Sequence, residues 1–323
     1  MNLPDSPPWS RRNFLGALAV AGAGLPRPSV ARPLPHPAAD AMSVHVFSKH
    51  LQFLDYEAAA RAAAEIGFDG VDLTVRPKGH VLPENVTADL PRAVAAVKQA
   101  GLQAHLMTTA IMDTEPTLAV RVLETAQAQG ITHYRTNWLR YNRTDINLPD
   151  ALKGYRQQLN ALAKLNRRIG ITGGYQNHSG EYYVGAPVWD IATLLQEINS
   201  SHLGSQYDIY HATAEGGKSW PLGLALIHPY INTVVVKDFR WEKVNGAWRT
   251  LNVPLGEGMV NFPKFFALLK KYEVRCPISV HFEYDLPGER EAMDEAERTD
   301  KTIAVMKKDV NQLRVYLDKA GLE

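Results

Sequence analysis

Gly170-Ile171-Thr172-Gly173-Gly174-Tyr175-Gln176-Asn177-His178-Ser179-Gly180 decides how the rest of the chain is read. A short β-type segment leaves a helix here and stops at a cluster of polar, metal-capable side chains. Alternate residues of a strand share a face, so Gln176 and His178 are expected to project together while Asn177 points away. Three later segments finish in the same manner: Tyr207-Asp208-Ile209-Tyr210-His211, Val234-Val235-Val236-Lys237-Asp238, and Ile278-Ser279-Val280-His281-Phe282-Glu283-Tyr284. Polar chemistry gathered at the C-terminal ends of successive parallel strands is how a (β/α)8 barrel builds an active site.

Outward from this stretch, β-type and helical runs alternate from Ser43 onward. The expected strands are Val44 to Ser48, Gly70 to Thr74, Leu102 to Thr108, Ile131 to Thr136, Ile171 to Asn177, Ser205 to Tyr210, Ile231 to Asp238 and Pro277 to Tyr284. Helical patterns follow them: Tyr56 to Ile66, Ala88 to Ala100, Pro116 to Gln129, Asp150 to Ile169, Pro187 to Ile198, Leu222 to His228, Phe262 to Lys271 and Glu295 to Lys319. Gly67, Gly101, Gly130 and Gly170 sit where helix C-terminal caps belong. Strand then helix, eight times over, predicts a closed parallel barrel, an α/β TIM barrel spanning residues 43–323. Two connections are long, Arg76 to Val86 and Phe239 to Asn261, and both are expected over the barrel mouth.

With 323 residues, 45% of them hydrophobic, the chain can bury one barrel-sized core. Its 35 basic and 34 acidic residues leave no electrostatic footprint for nucleic acid or an anionic membrane, so a small neutral substrate fits better than a polyanion. The single cysteine, Cys276, excludes an internal disulfide and a cysteine-based zinc site, and reads as a small buried hydrophobe. At the N-terminus, Ser10-Arg11-Arg12-Asn13-Phe14-Leu15 precedes a small apolar run and a Pro-rich segment. The run is too short for a transmembrane helix, and the pattern is expected to be a twin-arginine signal peptide over residues 1–31, cleaved after Ser29-Val30-Ala31. Residues 32–42 then form a linker, and the mature form is expected in the periplasm, exported already folded. It keeps a near-neutral charge and has no membrane span.

Asp208 and His211 form an Asp-x-x-His at a strand end. Either can bind a divalent ion, or the Asp can orient the His as a base. His281 and Glu283, two apart, share a side if the strand continues through them, and they are costly to bury unless they pair or act. Lys237 ends an apolar strand, where it can neutralise an enolate, move a proton, or pair with Asp208 or Glu283. Arg76, His80 and Arg135 are candidate ligand contacts at the second and fourth strand ends, with Gln176 at the fifth. Trp220, Trp241 and Trp248 follow the sixth and seventh strands; Trp241 is the candidate for stacking on a sugar ring. Pro254-Leu255-Gly256-Glu257-Gly258 lacks the spacing of a phosphate loop and reads as a structural turn.

Taken in order, Asp69-Gly70-Val71-Asp72, Tyr175 to His178, Asp208 to His211, Val236-Lys237-Asp238, Gly256-Glu257-Gly258 and His281-Phe282-Glu283 resemble the sugar phosphate isomerase/epimerase superfamily of xylose isomerase-like barrels. The resemblance implies a divalent ion held on strands five to eight, and proton transfer next to a sugar carbonyl. The chain departs from the usual motifs: Gln176 stands where Glu is common, Val235 where His is common, and His281 at the eighth-strand carboxylate position. The expected ligand set is therefore His178, Asp208, His281 and Glu283, a mixed nitrogen and oxygen set suited to manganese, zinc, cobalt or iron. His211, Lys237 and Glu283 are the expected catalytic groups. The first expectation is an isomerase or epimerase; a branch of the superfamily that cleaves 3-keto-glycosides by elimination is the second, and an exported, non-catalytic sugar-binding protein the third.

Overall fold

The computed structural model describes residues 42–114, 117–144 and 147–323. The expected signal peptide and nearly all of the expected linker lie outside the described residues. Eight parallel strands close into a barrel: β1 (Val44–Phe47), β2 (Gly70–Val75), β3 (Gln103–Thr109), β4 (His133–Arg135), β5 (Thr172–Gln176), β6 (Leu203–Asp208), β7 (Ile231–Val236) and β10 (Ile278–Val280). The ring closes where Val44, His45 and Val46 pair with Ile278, Ser279 and Val280. Every residue of β1, β2, β6, β7 and β10 is buried, as expected for strands covered inside by barrel side chains and outside by helices. A polar tie crosses the interior, where the buried Asp72 accepts hydrogen bonds from Thr108 and Ser279.

The helical layer follows the sequence closely. Tyr56–Ile66 begins at Asp55, whose side chain accepts from the Ala58 N–H, and stops at Gly67 in the left-handed region, φ 102°. Leu148–Ile169 ends the same way at Gly170, φ 84°. The last helix, Glu295–Ala320, buries Ile303, Met306, Val310, Leu313 and Leu317. No helix among the described residues is long and apolar enough to cross a membrane. Cys276 is buried and free, and burial pushes its thiol up, so it is a packing residue as expected.

Several boundaries differ from expectation: β5 stops at Gln176 and β7 at Val236, so His178 and Lys237 stand beyond their strands, and three further differences affect the site. β6 stops at Asp208, which turns to cap the helix Ile209–Gly216 by accepting from the His211 N–H, so His211 lies in a helical first turn. β10 stops at Val280, so His281 and Glu283 stand beyond the strand. After the seventh strand the long connection is a β-hairpin, β8 (Asp238–Val244) and β9 (Ala247–Val253), paired antiparallel. Its turn is Asn245-Gly246, with φ of 51° and 81°, the backbone that an Asn-Gly hairpin turn requires.

Candidate active site

A continuous chain of polar contacts runs across the C-terminal ends of β4 to β7. Arg135 donates to the Gln176 Oε1 (3.1 Å), and the Gln176 Nε2 donates to Asp208 Oδ2 (2.8 Å). Lys237 Nζ stands 3.3 Å from the same oxygen and 2.9 Å from His211 Nε2, and His211 Nδ1 meets the Ser179 hydroxyl at 2.6 Å. Gln176, Asp208, His211 and Lys237 are all buried. Asn177 points away from this chain as its position in the strand predicts. It clamps the end of β6, accepting from the Asp208 N–H (2.8 Å) and donating to the Asp208 carbonyl (2.9 Å).

Opposite stands a second group. His281 Nδ1 lies 3.7 Å from Glu283 Oε1, and Glu283 also pairs with Lys49 at 2.9 Å. The His281 ring stacks on Phe47 with centroids 4.2 Å apart, and the Arg76 guanidinium lies 5.7 Å from the same Phe47 ring. His281 Nε2 is buried and has no hydrogen-bond partner. With Nδ1–H facing the carboxylate, Nε2 carries the free lone pair, which is the arrangement of a carboxylate-oriented general base. The carboxylate side of the group opens to solvent, since 27% of the Glu283 side chain and 40% of Lys49 are exposed.

Electrostatics separates the roles. Burial brings the His281 imidazole down to about 3, against the pull of Glu283, so the ring is neutral at physiological pH. Burial also opposes ionisation of Glu283, but the contact with His281 and the nearby cationic side chains Lys237 and Lys49 outweigh it and hold the carboxyl far below its usual range. Burial, then Lys237, holds His211 well below its usual range, and burial brings His178 to about 4. Burial pushes the Asp208 carboxyl up, with Lys237 and the N–H donors of His211 and Gln176 pulling it back. Burial and then Arg76 lower Arg135 to about 10; Arg135 Nε and Arg76 Nε are both buried without partners.

Several expected roles are corrected. His178 Nδ1 faces the Ser179 carbonyl (2.8 Å), and its ring packs against Tyr183 and His211. The expected ligands His178, Asp208, His281 and Glu283 do not converge: among the described residues, no group of three or more His, Cys, Asp or Glu is placed to hold a metal ion. Asp208 is saturated by Lys237, Gln176 and His211, while Glu283 is turned to His281 and Lys49. His211 has both ring nitrogens engaged, which suits holding Lys237 better than taking a proton from a ligand. His80 is anchored away from the cluster, with Nε2 on the Leu54 carbonyl (2.9 Å) and its ring against Tyr56. Trp241 lies on the hairpin, 42% exposed, beside a groove of about 480 Å³ that it shares with Phe239, Met259 and Lys218. Arg76, Arg135 and Gln176 do reach the two groups.

The turn after β9 is structural, and it does surround an anion, which the chain itself supplies. Asp238 accepts from the backbone N–H groups of Phe239, Gly256, Gly258 and Val260 at 2.8 to 3.1 Å. Reading the sequence missed Lys49, Phe47 and Ser179. Ser48-Lys49-His50 follows the first strand directly, so the strand-end rule that singled out Lys237 also points to Lys49.

Architecture and site together define a (β/α)8 barrel with a buried cluster of ionisable side chains at its C-terminal mouth. The chain belongs to the xylose isomerase-like TIM barrel family, whose model matches residues 60–308. By sequence comparison, no curated protein matches it. Among solved structures it is similar to a D-allulose 3-epimerase from Methylomonas sp., at 15% identity and TM-score 0.63 over 88% of this chain and 100% of that one. It is also similar to the Escherichia coli 3-keto-D-glucoside 4-epimerase, at 15% identity and TM-score 0.60 over 85% and 99%. A xylose isomerase-like barrel from Mycobacterium smegmatis, in complex with magnesium, shares 12% identity with TM-score 0.58 over 87% and 98%. Identities this low establish the shared fold.

The divalent ion that the resemblance implies does not fit these residues. The β7 position level with Asp208 is Val235, which is fully buried and offers no donor. The β5 side chain nearest Asp208 is an amide that presents its N–H to the carboxylate, and an ammonium already lies against both Asp208 and His211.

Proposed function

We propose that this protein is an enzyme of the sugar isomerase/epimerase type, which moves a proton at the carbon next to the carbonyl of a sugar or keto-sugar. The single observation that carries this reading is the His281–Glu283 pair, with a buried, unpartnered Nε2 facing no protein donor, beside a buried cationic centre. His281 Nε2 takes the proton, and Glu283 holds the ring in the productive tautomer and stabilises the imidazolium that forms. The His281 base is weak, so its use demands a well-stabilised enolate; a buried cation within the same site supplies that. Arg76 and Arg135, each with a free buried N–H, bind ligand oxygens. The 3-epimerase and 4-epimerase activities of the similar structures support the reaction class. The pattern Ser10-Arg11-Arg12-Asn13-Phe14-Leu15 supports export by the twin-arginine route to the periplasm.

The test is an NMR time course of the protein with a 3-keto-glucoside, and separately with a simple ketose, in D2O. Deuterium entering beside the carbonyl of an intact sugar is the expected result. Loss of the aglycone instead would identify the elimination branch. Absence of both, with either sugar, would refute proton transfer on this substrate class.

A further inference from the structure

Lys237 has the surroundings that a bound cation would have. Its Nζ lies 3.3 Å from Asp208 Oδ2 and 2.9 Å from His211 Nε2, and it stands 5.0 Å from the Tyr210 ring centroid. The residue is only 6% exposed. The groups around it are already committed to it or to each other. Asp208 Oδ1 faces the His211 N–H and Oδ2 also receives Gln176, while His211 Nδ1 is taken by Ser179. At the neighbouring β7 position, in register with Asp208, the chain offers Val235. A divalent ion placed between Asp208 and His211 would have to displace the ammonium or sit against it.

An ammonium has three N–H groups. Two are directed at Asp208 and His211, and the third remains for a ligand oxygen. We propose that the Lys237 ammonium, held between Asp208 and His211, takes the place of a divalent ion as the cation that polarises the substrate carbonyl, so that proton transfer runs without a metal. This rests on the proton-transfer reading above. The step balances without a co-reactant: the C–H proton goes to His281 Nε2, the C–H electron pair becomes the new C=C bond, and the carbonyl π pair moves onto oxygen. The resulting O⁻ accepts the third Lys237 N–H. Return of the proton from His281 to the same face restores the carbonyl, with exchange of that proton against solvent; inversion requires a proton delivered from the opposite face. Asp208 and His211 are positioning residues, and Gln176 passes the orientation on to Arg135.

The experiment combines exchange with a readout that does not depend on activity. The purified full chain is dialysed against EDTA and its metal content measured by mass spectrometry. Deuterium exchange into the 3-keto-glucoside and the ketose is then followed, and Mn²⁺ and Zn²⁺ alone are titrated calorimetrically. The expected results are exchange within about 2-fold of the untreated protein and no stoichiometric uptake of either ion. Lys237→Met should lower exchange by about 100-fold or more, the usual effect of removing one donor to a developing oxyanion, and added methylamine should restore part of it. Because Lys237→Met leaves Asp208 buried without its cation, Lys237→Arg provides the folded control. It keeps the charge and the melting temperature but lowers kcat, since the fork cannot reproduce the third N–H. Exchange abolished by EDTA and restored by Mn²⁺, or stoichiometric binding of Mn²⁺ or Zn²⁺ by the native chain, would overturn the proposal while leaving proton transfer intact. If neither sugar exchanges under any condition, proton transfer on this substrate class fails and takes the catalytic role of Lys237 with it, while calorimetry alone still decides whether a divalent ion binds in its place.

Discussion

Gln176→Glu tests the electrostatic reading of the site most sharply, because it changes one atom type at a buried contact. The amide nitrogen lies 2.8 Å from Asp208 Oδ2, and neither residue has appreciable solvent access. Glutamate there sets two carboxylate oxygens against each other, and the native state must keep one proton on the pair. With that proton the variant is nearly isosteric with the amide. The raised native pKa means that full stability is present below the unfolded Glu value of about 4.3 and is lost as pH rises toward the pKa of the pair. The gap to wild type should grow by about 1.36 kcal/mol per pH unit and reach about 3.7 kcal/mol at pH 7 if the proton is still held there. For a domain of this size that corresponds to a fall of about 7 °C in Tm. Thermal unfolding followed by circular dichroism from pH 4.5 to 8, on both proteins, measures it. A gap that does not change with pH would refute the reasoning, since it would mean that Lys237 and Arg135 neutralise both carboxylates.

Three further outcomes follow from the same contacts. Glu283→Gln should lower kcat by about 100-fold and lower Tm as well, because it removes both the group that orients His281 and the anion that His281, Lys237 and Lys49 hold in its ionised form; steady-state exchange rates and a melting curve check both halves. His281 stays neutral in the folded chain down to about pH 3, while the unfolded ring protonates near 6.5, so acidification should cost about 2 kcal/mol by pH 5; the stability–pH slope of His281→Gln should lack that contribution. Gly258→Ala would put a Cβ 2.2 Å from Asp238 Oδ1 and 2.4 Å from the Phe239 carbonyl, so the turn must open, and urea unfolding should show a loss of about 3 kcal/mol or more.

The fold was legible because periodicity and punctuation agreed along the whole chain. Tyr56–Ile66 and Phe262–Lys271 have the limits that their apolar spacing and capping residues announce. The hairpin after β7 escaped notice although Asn245-Gly246 is a strong turn signal, because its strands are largely exposed and lack the buried alternation that marks a strand. In the site, the strand-end rule brought Gln176, Asp208, His211 and Lys237 onto one rim, but the partners that assign their roles come from a distance. Lys49 meets Glu283 across 234 positions, and Phe47 stacks on His281 across the closure of the barrel. Motif spacing records only what is near in the chain. It could not show that Lys237 would occupy the space between an expected ligand, Asp208, and an expected catalytic group, His211.

The pairing of β1 with β10 joins the first described strand to the last. Contacts separated by more than two hundred residues form late, because the chain entropy between them must be spent first. Lys49, Phe47, His281 and Glu283 all lie along that joint. A partly folded chain can therefore hold most of its helices and the Lys237 cluster while the His281 base still lacks Phe47 and Lys49 beside it. The site is complete only when the barrel is closed, and a chain that stops short of Ile278 is left with two unpaired strand edges, on β1 and β7, that invite association with other chains.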